Sequence, residues 1–245
     1  MAVNNNKHGL VDKWLKIVRS AANSGICYLC GVTTSPPCLS ICKPCCMDLP
    51  FNHSACFACA MPVTAGKYCA HCIQERKPVI DRAICPFRYA YPVDKLIQDM
   101  KFRSRLEIAG FFAHFMANVL TSRGTDLPQV LIPVPLHSSR LRERGYNQSL
   151  ELSRNLSGIM NIPVDNYCLF RKQKTRAQSD LPARQRKKNI RGAFSADIEA
   201  LSTYEYVAII DDVITTGATV RETARLIKKS GVKRIDVWSC ARAVI

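Results

Sequence analysis

The spacing of apolar residues changes along the chain, and each change marks an element. Val207, Ala208, Ile209 and Ile210 form an unbroken apolar run, the pattern of a strand covered on both faces of a parallel sheet. Asp211 and Asp212 follow at its carboxyl end, and then the small or hydroxylated Thr215, Thr216, Gly217, Ala218 and Thr219. Helical spacing predicts a helix from this turn to about Ser230, stopped by Gly231. A second buried strand is expected over residues 129–135, QVLIPVP, with prolines where ladder pairing has ended. Residues 234–242, RIDVWSCAR, read as a final strand, and residues 81–91 as a strand or hairpin. Between them, Pro92 opens a helix with Leu96, Ile97 and Met100 on one face. Another helix, from about residue 105 to 120, carries Leu106, Ala109, Phe112, Ala113 and Met116 as a stripe. Helical spacing resumes through Leu150, Leu152 and Leu156 after the segment LHSSRLRERGYNQS. Near the start, Leu10, Val11, Trp14, Leu15 and Val18 predict a short amphipathic helix over residues 10–22. Strands alternating with helices point to an α/β domain.

The turn after residues 207–210 has the chemistry of anion capture. A helix start leaves backbone N–H groups unpaired, and its dipole favours negative charge. Small residues let a phosphate approach the backbone, and three threonine hydroxyls add donors. A phosphate alone does not call for Asp211 and Asp212. Two carboxylates beside an anion site suit a ligand with hydroxyls or a divalent cation. A sugar phosphate with Mg²⁺ meets all of these demands. In open α/β sheets, ligands bind outside the carboxyl ends of the strands, where this turn lies.

Cysteine spacing adds a second kind of chemistry. Cys27 and Cys30 are followed by Cys42 and Cys45; Cys56 and Cys59 are followed by Cys69 and Cys72. Each pair is a C-x₂-C knuckle with two thiolates on one side of a tight turn, so two knuckles complete a tetrahedral shell. Two structural zinc ions are expected. Cys46 stands beside Cys45 as an alternative ligand, and interleaved pairing of the knuckles is an alternative to pairing in order. Thirteen cysteines in a chain without an export signal suit metal better than disulfides. Cys168 and Cys240 read as buried thiols.

The formal charge is +16, or about +12 with two Cys₄ zinc centres. A protein this basic attracts phosphorylated small molecules, nucleic acid or anionic surfaces. Arg140, Arg142 and Arg144 are closely spaced, and arginine suits bidentate phosphate contact. Residues 171–191 form a basic segment, with Lys174 and Arg176 as anion candidates, placed between two strands where a functional loop is expected. Lys101, Arg103 and Arg105 make a basic turn whose alternatives are solvation and a place in an anion cleft. No run of 18 apolar residues occurs, so no membrane insertion is expected and a cytoplasmic protein is the default.

The stretch VAIIDDVITTGATV resembles the phosphoribosyl-diphosphate (PRPP) signature of type I phosphoribosyltransferases. The resemblance implies that Asp211 and Asp212 contact ribose hydroxyls, that residues Thr215, Thr216, Gly217, Ala218 and Thr219 wrap the 5′-phosphate, and that Mg²⁺ accompanies PRPP. Purine-salvage members place an Asp as general base where this chain has Thr215, which cannot take a proton in that way. With the paired knuckles, YPVDKLIQDMKF, the RGYNQ string and RKKNIRGAF, the chain from residue 27 onward is similar to the ComF family. That resemblance implies a tail and amphipathic helix over 1–26, a double zinc ribbon over 27–78, and a phosphoribosyltransferase-like parallel sheet flanked by helices over 79–245. It also implies a part in natural competence and the use of external DNA, with single-stranded DNA and other competence proteins as partners. Two function classes follow: a PRPP-binding transferase with an unknown acceptor, in which Arg140, Arg144, Lys174 and Arg176 meet diphosphate, or a non-catalytic DNA-handling adaptor with a sensory or vestigial pocket.

Overall fold

The computed structural model describes residues 25–34, 41–75, 78–122, 124, 126–172, 190 and 192–244. The helix expected over 10–22, Lys174 and Arg176, and most of the basic segment lie outside them. The chain divides into two compact units, one ending at Leu49 and the other beginning at Pro50.

In the smaller unit, strands β1 (Gly25–Ile26) and β2 (Thr33–Thr34) pair antiparallel around the first knuckle. Gly31 turns the knuckle with φ 75°, and its N–H donates to the Cys27 carbonyl at 2.9 Å. A short helix, α1 (Lys43–Met47), starts directly after Cys42. Among the described residues here, the buried apolar side chains are Cys27, Ile41 and Leu49, too few to form a core.

The larger unit begins with the second pair of knuckles and helix α2 (Ala70–Gln74). Its centre is a sheet of β3 (Arg82–Ile84), β4 (Phe87–Arg88), β5 (Val130–Pro133), β8 (Tyr206–Ile214) and β9 (Arg234–Arg242). The order is β3-β9-β8-β5, with β4 also on β9, and every pairing is parallel. Residues 81–91 therefore form two short parallel strands and not a hairpin. Both lie along the edge of β9, and Cys85 and Pro86 separate them. Helices α3 (Val93–Phe102), α4 (Glu107–Ser122), α5 (Ser138–Arg144), α6 (Gln148–Met160), α7 (Ile198–Ser202) and α8 (Ala218–Lys228) complete the unit, with a small antiparallel pair, β6 (Leu169–Arg171) and β7 (Phe194–Ala196).

Sheet side chains alternate between faces. Val207 and Ile209 of β8 and Ile235 and Val237 of β9 pack with Val220, Ala224 and Ile227 of α8 in one buried cluster. Helices α4 and α6 pack on each other and on the sheet, burying Phe112, Met116, Leu152 and Leu156. The run that reads as a doubly covered strand is fully buried from Val207 to Ile210. No described helix is long and apolar enough to cross a membrane.

Candidate active site and metal centres

The acids are displaced from the strand end expected for them. Strand β8 continues through Asp211 and Asp212 to Ile214, because β9 still pairs with it there, in register as far as Arg242. On the other side β5 stops at Pro133, opposite Ile210. The last ladder bond on this side runs from the Val134 amide to the Ile210 carbonyl at 2.9 Å. The two carboxylates are thus held on a rigid strand, yet face the gap left by a shorter neighbour.

That gap is a cleft of about 450 Å³, whose lining includes Lys101, Arg140, Arg144, Arg171, Asp211, Asp212, Thr215 and Thr219. Lys101 comes from the last turn of α3, with its Nζ 2.5 Å from Asp212 Oδ2. Asp212 is 4% exposed. Asp211 Oδ1 accepts from the Ser149 hydroxyl at 3.4 Å and from the Asp212 amide at 2.9 Å. Burial pushes the Asp211 carboxyl up to about 6, against the pull of the Lys101 charge, the Ser149 hydroxyl and Arg171. Burial likewise pushes the Lys101 ammonium down to about 8, with Asp211 opposing and Arg144 and Arg140 assisting. Arg171 is driven down to about 10 by burial, and by neighbouring Arg140. The cleft thus holds ionisable groups of both signs in surroundings that disfavour their charges, as at sites made for a charged ligand.

The RGYNQ string builds one wall. Gly145 ends α5 in the left-handed region with φ 78°. Asn147 caps α6, accepting from the Ser149 amide at 3.0 Å, while its Nδ2 donates to the Val134 carbonyl at 3.1 Å. Arg144 donates to Gln148 Oε1 at 3.2 Å and lies 4.7 Å from the centre of the Phe102 ring. The Tyr146 hydroxyl donates to the Met100 carbonyl, tying this wall to the helix that carries Lys101.

The small-residue turn is split by the fold. Thr215 and Thr219 line the cleft; Thr216, Gly217 and Ala218 do not. Gly217 caps α8 with φ 71°. Arg221, one turn along α8, donates to the Thr216 carbonyl. Of the basic turn, only Lys101 reaches the cleft. Arg103 and Arg105 are solvated beside Asp99 and Glu107. Lys101, Arg171 and Ser149 were legible only as members of a basic turn, a basic segment and the end of a string.

The cysteines gather as the spacing implies. Cys27, Cys30, Cys42 and Cys45 form one group, and Cys56, Cys59, Cys69 and Cys72 another, each with all sulfurs within 4.8 Å. Pairing in order holds, and Cys45 takes the place for which Cys46 was the alternative. Cys30 and Cys42 Sγ are 3.6 Å apart, as are Cys59 and Cys69 Sγ. A tetrahedral shell with Zn–S of about 2.3 Å puts its sulfurs about 3.8 Å apart, so both groups fit zinc. Burial pushes Cys27 and Cys56 up, but backbone amides aimed at the sulfurs outweigh it and hold them at about 6 and about 7. Neighbouring thiols push Cys45 well up, and burial together with neighbouring thiols does the same to Cys72. Four thiolates at this spacing need a cation among them, which a metal supplies. Cys168 and Cys240 are buried thiols, as expected.

No family model matches the chain. Competence protein F of Haemophilus influenzae is 34% identical over 210 residues, 78% of this chain and 92% of that protein. DNA utilization protein YhgH of Escherichia coli K12 is 32% identical, over 90% of this chain and 98% of that one. Competence protein ComFC of Bacillus subtilis is 26% identical over 72% of each. Among solved structures, glutamine PRPP amidotransferase from B. subtilis, complexed with ADP and GMP, is 16% identical at a TM-score of 0.36, over 54% of this chain and 26% of that one, too weak a likeness to build on. The first two relatives are more than 30% identical and are matched across nearly their whole length; the chain belongs to the ComF family.

Proposed function

We propose that the cleft binds PRPP with Mg²⁺ and that the protein serves the use of incoming DNA. What carries the reading is the meeting of two adjacent carboxylates with Lys101, Arg140, Arg144 and Arg171 in one cleft. The carboxylates accept from the ribose 2′- and 3′-hydroxyls, and with PRPP bound they stand close to Mg²⁺. Arg140, Arg144 and Arg171 face the diphosphate, where planar guanidinium forks match phosphate oxygens. Thr215 and Thr219, which line the cleft, receive the 5′-phosphate, and Thr216, Gly217 and Ala218 carry the chain behind them into α8. Lys174 and Arg176 belong to the same reading as further diphosphate contacts.

In a transfer reaction, the ribose C1–O bond to diphosphate breaks and the guanidinium groups take up the departing charge. Thr215 lines the cleft where purine-salvage enzymes use an acid, so an acceptor that needs no strong base there is favoured. The names of the relatives, competence protein F and DNA utilization protein YhgH, support DNA as the material in whose handling the chain takes part. Its charge of +16 suits a polyanion, and single-stranded DNA and competence proteins are the proposed partners. Zinc in both cysteine groups is structural.

Thermal stabilisation by a ligand panel tests this reading. PRPP with Mg²⁺ should raise the melting temperature more than ribose 5-phosphate or diphosphate alone, since only PRPP engages both ends of the cleft. Equal shifts from inorganic phosphate and PRPP would contradict it.

A further inference from the structure

We infer that Arg242 is a positioning residue that makes the second cysteine group part of the proposed phosphate site, so that the metal held by Cys56, Cys59, Cys69 and Cys72 sets the geometry of the turn at residues 214–217. The effect on ligand affinity rests on the function proposed above; the effect on the turn does not.

Arg242 is the last residue of β9 and is 5% exposed. Its Nε donates to the Cys59 carbonyl at 3.0 Å. Its Nη1 donates to the Ile214 carbonyl at 3.0 Å, to the Thr215 carbonyl, and to the Ala243 carbonyl at 2.5 Å. One rigid guanidinium therefore joins the knuckle to the end of β8 and to the first residue of the turn. No other side chain could hold these directions at once: lysine lacks the fork, and glutamine has fewer donors.

Cys59 is the link. The same residue gives its sulfur to the metal group and its carbonyl to Arg242. The knuckle is tight: the Ala60 amide donates to the Cys56 carbonyl at 2.8 Å, with Ala60 itself at φ 56°. A non-glycine residue keeps that conformation only where its surroundings impose it. The buried Asn52 Nδ2 holds one side, donating to the Ala60 carbonyl at 2.9 Å, and metal on Cys56 and Cys59 would hold the other. Without it the knuckle relaxes, the Cys59 carbonyl turns, and Arg242 loses the partner that fixes its Nε. The Ile214 and Thr215 carbonyls then lose a buried donor held in place. Arg221 braces the same turn from the α8 side and cannot replace a contact on the knuckle. The linkage is reciprocal by necessity: a ligand that orders the turn tightens metal binding at this group by the same factor.

Amide hydrogen exchange of the full-length, zinc-replete chain tests the inference. Arg242→Gln should retain the wild-type zinc content and speed exchange of the amides at 214–219 by about tenfold or more. Cys72→Ser, which disturbs the metal while leaving the Cys59 carbonyl in the chain, should do the same. Exchange in α6, which Arg242 does not touch, should stay at its wild-type rate in both. PRPP with Mg²⁺ should bind each variant about tenfold or more weakly, and should slow zinc loss from the second group of the wild type. If Arg242→Gln does not fold, Cys72→Ser and chelator-treated wild type give the same reading of the turn. A zinc-replete Arg242→Gln with unchanged exchange at 214–219 would overturn the inference. So would equal acceleration in α6, which would mark a general loss of stability. Absence of PRPP binding by the wild type would count against the proposed function, while the exchange data would still decide the role of Arg242.

Discussion

Replacing Asp211 by Asn should stabilise the protein while removing its ligand. Burial moves the Asp211 carboxyl from 3.8 to about 6, even with Lys101, Ser149 and Arg171 pulling the other way. A carboxyl raised in the folded state contributes most below its unfolded value, and that contribution is lost as pH rises through the folded value. At neutral pH the ionised Asp211 therefore costs about 3 kcal/mol, at about 1.4 kcal/mol for each tenfold change in proton affinity. Water entering the open cleft screens the charge, so this is a ceiling. Asn removes the charge but keeps the size. Urea unfolding of wild type and Asp211→Asn at pH 7.5 should show the variant about 1–3 kcal/mol more stable. At pH 5 the gap should shrink to about half, because wild-type Asp211 is then largely protonated in the fold. Contributions from the metal centres are common to both proteins and cancel. A variant that is less stable at pH 7.5, or a gap that does not change with pH, would refute the view that Asp211 is held charged at a cost for the sake of a ligand.

Other substitutions test the surroundings. Lys101→Met removes the cation 2.5 Å from the buried Asp212 and should destabilise the fold by about 3–5 kcal/mol in the same unfolding assay; unchanged stability would deny the pair its place. Gly217→Ala forces a side chain into the left-handed region, with its Cβ 2.9 Å from Arg221 Nη1. It should cost about 1–2 kcal/mol and weaken PRPP binding; a neutral result in both would show that the turn can be rebuilt without harm. Chelation of zinc should make the segment from Gly25 to Leu49 sensitive to protease, since its described residues bury little besides Cys27, Ile41 and Leu49; resistance after complete metal removal would show another source of order.

Much of this arrangement could be read from local pattern. The apolar run at 207–210 is a local feature, and a C-x₂-C knuckle is defined by two residues, so both survive into the fold unchanged. The parallel pairing of β3 and β4 was not legible, because a short apolar strand looks the same in a hairpin and on a sheet edge. The position of the acids inside β8 depends on β9 outlasting β5, a relation between strands that no single stretch encodes. Lys101 enters the cleft from a helix over a hundred positions before Asp212; its neighbours Arg103 and Arg105 have the same chemistry and a different fate, decided by where α3 ends. Arg242 gave no signal at all: in sequence it is the last charge of a strand, and its four carbonyl partners come together only in three dimensions.

The most direct measurement is calorimetric titration of PRPP with Mg²⁺ into zinc-replete protein, beside the double variant Asp211→Asn/Asp212→Asn. Saturable one-site binding by the wild type, dependent on Mg²⁺ and lost in the double variant, is the expected result. A folded wild type that gives no binding heat at any of several temperatures, or a double variant that binds as well as wild type, would contradict a sugar-phosphate site built on these two carboxylates.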